Sequence, residues 1–213
     1  MKKSLIIACD GEAASGKSTG AKLISKKYNL ILINSGLLYR YASKLILDNK
    51  PKNLTIFLNS KFKNVNYKRI SKLKLHTQKI DEHVGPLAKI KNVRLIMQKI
   101  QKKLIYKNKR ICVEGRDIAS TILKKNPKYD IAFYFKCNLK KASYRRWIDQ
   151  KKRIPLSQVK KSLSKRTIMD KNRKHSPLRK MKDAVLIRTD VLNKKMMIKK
   201  MSEVIDKKIN QIL

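Results

Sequence analysis

Nowhere does this sequence approach the roughly 18 consecutive apolar residues that a membrane-spanning helix needs. Its opening, MKKSLIIAC, imitates a secretion signal, but the apolar part covers only Ser4 to Ala8 before Asp10 and Gly11 interrupt it. A signal core runs to about 7–15 residues, so the segment reads as the first β-strand of a cytoplasmic protein. Cysteine is scarce. Cys9, Cys112 and Cys137 each sit in or beside an apolar run, too few and too far apart for a disulfide framework or a metal site. They read as buried thiols. His76, His83 and His175 are scattered and read as surface or structural residues. Acidic residues are few, 14 against 55 lysines and arginines, for a net charge of +41. Two explanations of that charge stand: a nucleic-acid or ribosomal partner, or a lysine bias spread over solvated faces. Lysines occur in every segment, with no basic tail, no internal repeat and no block of six like charges. Aromatic content of 6% offers little for base stacking. Nucleic acid is therefore expected to bind only through non-specific charge, weakening with salt.

What is present suits a chain of 213 residues, long enough for one domain with insertions or two small ones. Short β-type runs at 4–9, 30–33, 110–114, 131–137 and 184–187 alternate with segments near 17–28, 36–48, 93–107, 139–150 and 193–212. The latter place apolar residues at a spacing near 3.6. Strands separated by helices imply an α/β fold with a parallel five-stranded sheet flanked by helices, and ligands bind at the carboxyl ends of such strands. Two regions break the rhythm. Residues 50–76 are polar and lysine-rich, with TIFL as a weak strand, and residues 151–178 are highly charged and contain Pro155 and Pro177. Both read as insertions, a substrate cover and a lid.

After the first strand comes DGEAASGKST, which completes the pattern G-x-x-x-x-G-K-[ST] with Gly11, Gly16, Lys17 and Ser18. Glycines let the backbone curl so that its N–H groups face phosphate oxygens, and the following helix aims its positive end at the same point. ATP is thus expected on Gly11, Glu12, Ala13, Ala14, Ser15, Gly16, Lys17, Ser18 and Thr19. Lys17, an exposed loop lysine in this reading, would reach the β- and γ-phosphates, and the Ser18 hydroxyl would ligate Mg²⁺.

Lysine supplies most of the positive charge, so the arginines are informative: Arg40 in NSGLLYR, Arg94 in NVR, Arg116 in EGRD, Arg145 and Arg146 in YRRW, and Arg166 and Arg173 in KRTIMDKNR. A guanidinium grips phosphate with two parallel bonds, which lysine cannot do. Moving a phosphoryl group between two anions needs several such forks.

DGEAASGKST, INSGLLYR, EGRDI and R…DKNR…PL occur in the order and at roughly the spacing found in the bacterial cytidylate kinases. The chain resembles that branch of the nucleoside-monophosphate kinases over nearly its whole length. The resemblance implies an ATP-dependent (d)CMP kinase, acting as a monomer with ATP, Mg²⁺ and CMP or dCMP as its partners. It divides a single P-loop kinase domain, 1–213, into core 1–49, an NMP-binding insertion at about 50–92, core 93–150, a helical lid at about 151–178 and core 179–213. It also implies that Ser35, Arg40, Arg94, Arg116, Asp117, Asp170 and Arg173 contact CMP, and that Lys17, Arg166, Asp170 and Arg173 are catalytic. Departures exist. Gly85 stands where the family usually has a serine near the cytosine, and Arg188–Thr189 replaces an Asp–Thr pair. The alternatives are a P-loop kinase for another small acceptor such as UMP, AMP or shikimate, and a basic nucleic-acid-binding NTPase.

Overall fold

The structure, a computed structural model, describes residues 4–212. Lys2 and Lys3 of the signal-like opening lie outside the described residues. The apolar runs become strands where the sequence puts them: β1 (Leu5–Gly11), β2 (Ile31–Asn34), β3 (Arg110–Glu114), β4 (Ile131–Lys136) and β5 (Val185–Arg188). Between them, among the described residues, run α1 (Lys17–Lys27), α2 (Ser35–Asn49), α3 (Leu54–Phe62), α4 (Tyr67–Ile70), α5 (Gln78–Leu87), α6 (Lys91–Tyr106), α7 (Leu139–Asp149), α8 (Leu156–Asn172) and α9 (Lys194–Ile212). The sheet order is β2-β3-β1-β4-β5, with β1 parallel to both β3 and β4, and β4 parallel to β5. β1, β3 and β4 are buried along almost their whole length, as strands covered on both faces must be.

The chain forms two compact units. The first joins the residues up to Ile33 to those from Asn108 onward. Its core holds Leu5, Ile7, Phe133, Phe135 and Ile187 of the sheet, with Ile24 of α1 and Met201 of α9. Register matters more than bulk here. Cys9 lies opposite Glu114, Gly11 lies opposite Phe135, and the Gly115 N–H donates to the Cys9 carbonyl at 2.9 Å. Two motifs about a hundred residues apart therefore end side by side at the carboxyl edge. α7 and α8 pack as a hairpin, with Ala142, Val159 and Leu163 gathered around Cys137 and Ala13 of the glycine loop.

The second unit spans Asn34–Lys107, wider than the expected insertion at about 50–92. α2 and α6, assigned to the core by the sequence, instead share a separate apolar cluster with the helices between them. Leu38 and Ala42 pack there with Val93, Met97 and Ile100, together with Leu58, Ile80 and Leu87. The weak strand at TIFL is corrected to helix α3. Its start is capped by the Asn53 side chain, which accepts from the N–H groups of Thr55 and Ile56. Leu58 and Phe62, four apart, are its buried residues. A four-residue apolar window cannot distinguish the two periods, whereas the cap and the i, i+4 pair decide for helix.

Candidate active site

The loop after β1 is shaped by its two glycines. A Cβ on Gly11 would lie 2.3 Å from the Phe135 carbonyl oxygen, so only glycine lets β1 finish against β4. Gly16 caps α1 with φ +77°, a left-handed conformation that glycine adopts without strain. The first N–H groups of α1 lack intrahelical acceptors, so this end of the helix attracts anions.

Lys17 is 7% exposed, not the exposed loop lysine expected. Burial, and then the nearby Arg116, push its ammonium down to about 8, while Glu114 and Asp10 pull the other way and Arg166 adds to the lowering. Lys17, Arg116 and Arg166 thus stand within electrostatic reach of one another. Asp10, 2% exposed, is pushed up to about 6, chiefly by burial. Its two carboxylate oxygens each accept one backbone N–H, from Ile118 and Ala119, both at 2.8 Å. They hold the start of a single π-helical turn, Ile118–Ile122, directly after the GRD segment.

Arg116 Nε donates to Asp170 Oδ2 at 2.9 Å, and Arg173 lies 3.5 Å from Asp170 Oδ1 and 3.2 Å from Asp117 Oδ1. Four sequence-assigned residues therefore form one alternating chain, Arg116–Asp170–Arg173–Asp117. Arg173 follows the last residue of α8, with extended backbone, and its Nε also donates to the Ser176 carbonyl. Lys171 of α8 reaches Glu12 of the glycine loop at 2.8 Å.

On the second unit, Ser35 opens α2. It is 5% exposed, and its hydroxyl has no hydrogen-bond partner among the described residues. Arg40 directs Nε and Nη2 onto Asp81 Oδ1, at 3.1 and 2.7 Å. Arg94 is 2% exposed, donates to the Ala88 carbonyl at 3.2 Å and lies over the Tyr39 ring.

Two residues that partner these side chains had not been singled out from the sequence, Glu114 in the first unit and Asp81 in the second. Asp81 holds Arg40, while Thr189, noted in the sequence only as part of a departure from the family pattern, donates to the glycine loop at the Ser15 carbonyl. Glu114 accepts from the Ser18 hydroxyl at 3.0 Å, while its Oε2 is buried without a partner among the described residues. Glu114 had a legible signal, a charged residue closing a buried strand run just before GRD. Asp81 had none, since its role depends on a tertiary neighbour, and the departure at Arg188–Thr189 had marked position 189 without revealing its contact with Ser15. Among the described residues, no cluster of three or more His, Cys, Asp or Glu side chains could hold a metal ion.

A parallel sheet in the order β2-β3-β1-β4-β5, with a glycine-lysine-serine loop leading from its central strand into a helix, defines a P-loop α/β protein of the kinase type. The chain belongs to the cytidylate kinase family, whose model matches residues 7–207. A cytidylate kinase of Fusobacterium nucleatum subsp. nucleatum is 33% identical over 219 residues, covering 96% of this chain and 98% of that one. One from Clostridioides difficile is 32% identical, covering 87% of this chain and 91% of its own. A bifunctional pantoate ligase/cytidylate kinase of Prochlorococcus marinus is 35% identical over 89% of this chain, which spans 40% of that longer protein. Among solved structures, TT1252 from Thermus thermophilus covers 96% of this chain and 97% of its own at 11% identity and a TM-score of 0.52, a likeness of fold alone.

Proposed function

We propose that this chain transfers the γ-phosphoryl of ATP directly to CMP or dCMP, releasing ADP and CDP or dCDP. The observation that carries the reading is the gathering of cations at the glycine loop. Lys17 feels Arg116 and Arg166, and Arg116 shares the Asp170 carboxylate with Arg173. Arg116 and Arg166 disfavour the charged Lys17 while the site is empty, an arrangement that fits a polyanion whose charge grows in the transition state. The family relatives named cytidylate kinase support the pyrimidine acceptor.

In this reading Gly11–Thr19 hold the donor phosphates, with the Lys17 ammonium on the β- and γ-oxygens. Ser18 and Glu114 fit Mg²⁺, since they offer a hydroxyl and a carboxylate oxygen that is buried and otherwise unpartnered. When bound, Mg²⁺ neutralises charge on the β- and γ-phosphates. Arg116, Arg166 and Arg173 stabilise the moving phosphoryl, and Asp170 keeps two of these arginines oriented. Ser35, Arg40 and Arg94 serve the CMP, with Asp81 orienting Arg40. Asp117 serves the CMP sugar or base. Residues 151–178, with α8 at their centre, act as a lid that excludes water which would otherwise hydrolyse ATP. The enzyme works as a cytoplasmic monomer.

The test is ADP release, followed by a coupled assay, with CMP, dCMP, UMP, AMP and shikimate in turn. CMP or dCMP is expected to give the highest kcat/KM, with UMP the nearest competitor because Gly85 offers no side-chain hydroxyl. ATP hydrolysis that RNA stimulates and CMP does not would replace this reading with that of a nucleic-acid-dependent NTPase.

A further inference from the structure

Thr189, just beyond β5, is 4% exposed, and its hydroxyl donates to the Ser15 carbonyl at 2.9 Å. Ser15 is itself 1% exposed, so that carbonyl needs a donor within the protein. Arg145 of α7 grips both oxygens of Thr189. Nη1 donates to Oγ1 at 3.3 Å, and Nη2 donates to the main-chain oxygen at 2.8 Å. Because Arg145 has only hydrogens to give, Oγ1 must accept from it and is left to point its own hydrogen at Ser15. The Thr189 Cγ2 methyl also lies 3.2 Å from where a Cβ on Gly16 would stand, so the residue covers the outer side of that glycine.

The consequence comes from peptide geometry. The Ser15 carbonyl and the Gly16 N–H belong to one planar trans unit and point in opposite directions. Holding the carbonyl outward on Thr189 turns the Gly16 N–H the other way, toward the inside of the loop. We propose that Thr189, oriented by Arg145, is a positioning residue that keeps the Gly16 N–H aimed at a phosphate oxygen of the donor nucleotide. It acts through the backbone and touches no reacting atom. The proposal rests on reading Gly11–Thr19 as the donor-phosphate loop.

Thr189→Val keeps the shape and removes the hydroxyl, while Thr189→Ser keeps the hydroxyl and removes the methyl. Calorimetric titration with ATP, with tripolyphosphate as a base-free probe and with CMP separates the roles. For Thr189→Val, Kd for ATP and for tripolyphosphate should both rise about tenfold, as loss of one buried hydrogen bond implies. Kd for CMP should stay within about twofold, and Thr189→Ser should restore both phosphate affinities. Should Thr189→Val fail to fold, Arg145→Lys, which keeps the charge and loses the two-point grip, should weaken tripolyphosphate in the same direction and spare CMP. A folded Thr189→Val protein with wild-type tripolyphosphate affinity, or a Thr189→Ser protein as impaired as Thr189→Val, would overturn the proposal. A wild-type protein that bound neither ATP nor tripolyphosphate would overturn the loop reading and this proposal with it.

Discussion

Lys17 shows how a single residue records what its site is for. Its ammonium is pushed down to about 8, from an ordinary 10.5, by burial and by Arg116. Donor phosphates favour the charged form, so ATP binding must raise that value again. Near pH 8, binding should take up a fraction of a proton, and affinity should fall as pH rises from about 8 toward 10. For the empty protein the sign is separate: the unfolded chain binds more protons between pH 8 and 10.5, so Lys17 makes stability rise with pH across that window. Calorimetry of ATP binding in two buffers of different ionisation heat measures the uptake, and no uptake at pH 8 would contradict this role. Arg173 supplies a second test. Its guanidinium spans Asp117, Asp170 and the Ser176 carbonyl, an arrangement that the single ammonium of lysine cannot reproduce. Arg173→Lys should therefore lower kcat by at least about tenfold at saturating substrates. That is less than the ~10²–10³ lost with a whole transition-state donor, because lysine retains charge. A surface ion pair worth ~0–1 kcal/mol would leave kcat within about twofold of wild type.

Among the elements, α1 has the tightest requirement, because it must approach the sheet closely enough to present its first turn at the loop. Gly20 makes this possible. A Cβ there would lie 2.6 Å from Cε1 of Phe135, a ring with no exposure. Gly20→Ala would gain ~1 kcal/mol of helix propensity but incur ~1–3 kcal/mol of overpacking. A net loss of up to about 2 kcal/mol is expected, read as a lower urea midpoint. A midpoint at or above wild type would show that α1 can shift freely. α3 teaches the complementary lesson. TIFL alone suits either a strand or a helix, and what selects helix is the Asn53 cap and the burial of Leu58 and Phe62 in the second unit's core.

The charge of +41 belongs to the whole molecule. Among the described residues every α-helix carries at least one lysine, so the charge is not confined to one segment. The rare acids include Asp10, Glu114, Asp117 and Asp170, all at the candidate site. Binding to duplex DNA should therefore be indifferent to sequence and fall by roughly 10² or more between about 50 and 200 mM salt, while ATP–CMP transfer should not depend on added nucleic acid. Fluorescence anisotropy across a salt series measures the first and the coupled assay the second. Sequence-selective binding that persists at high salt would mean a built nucleic-acid surface instead.

The sequence alone determined whatever depends on near neighbours along the chain. The five strand runs, the helices of the core and the glycine loop are legible because periodicity and glycine chemistry act within a turn or a strand. Gly11, Gly16, Lys17 and Ser18 could be named as loop residues for the same reason. Only the tertiary structure decided the properties that depend on distant partners. Parallel register placed Glu114 beside Ser18 and let Asp10 accept from Ile118 and Ala119. Packing buried Lys17, folded TIFL as helix and drew α2 and α6 into the second unit. Thr189 reached Ser15 from 174 residues away. Such contacts leave no periodic trace in the chain, because burial and hydrogen bonding between distant segments arise only when the sheet closes and brings them together.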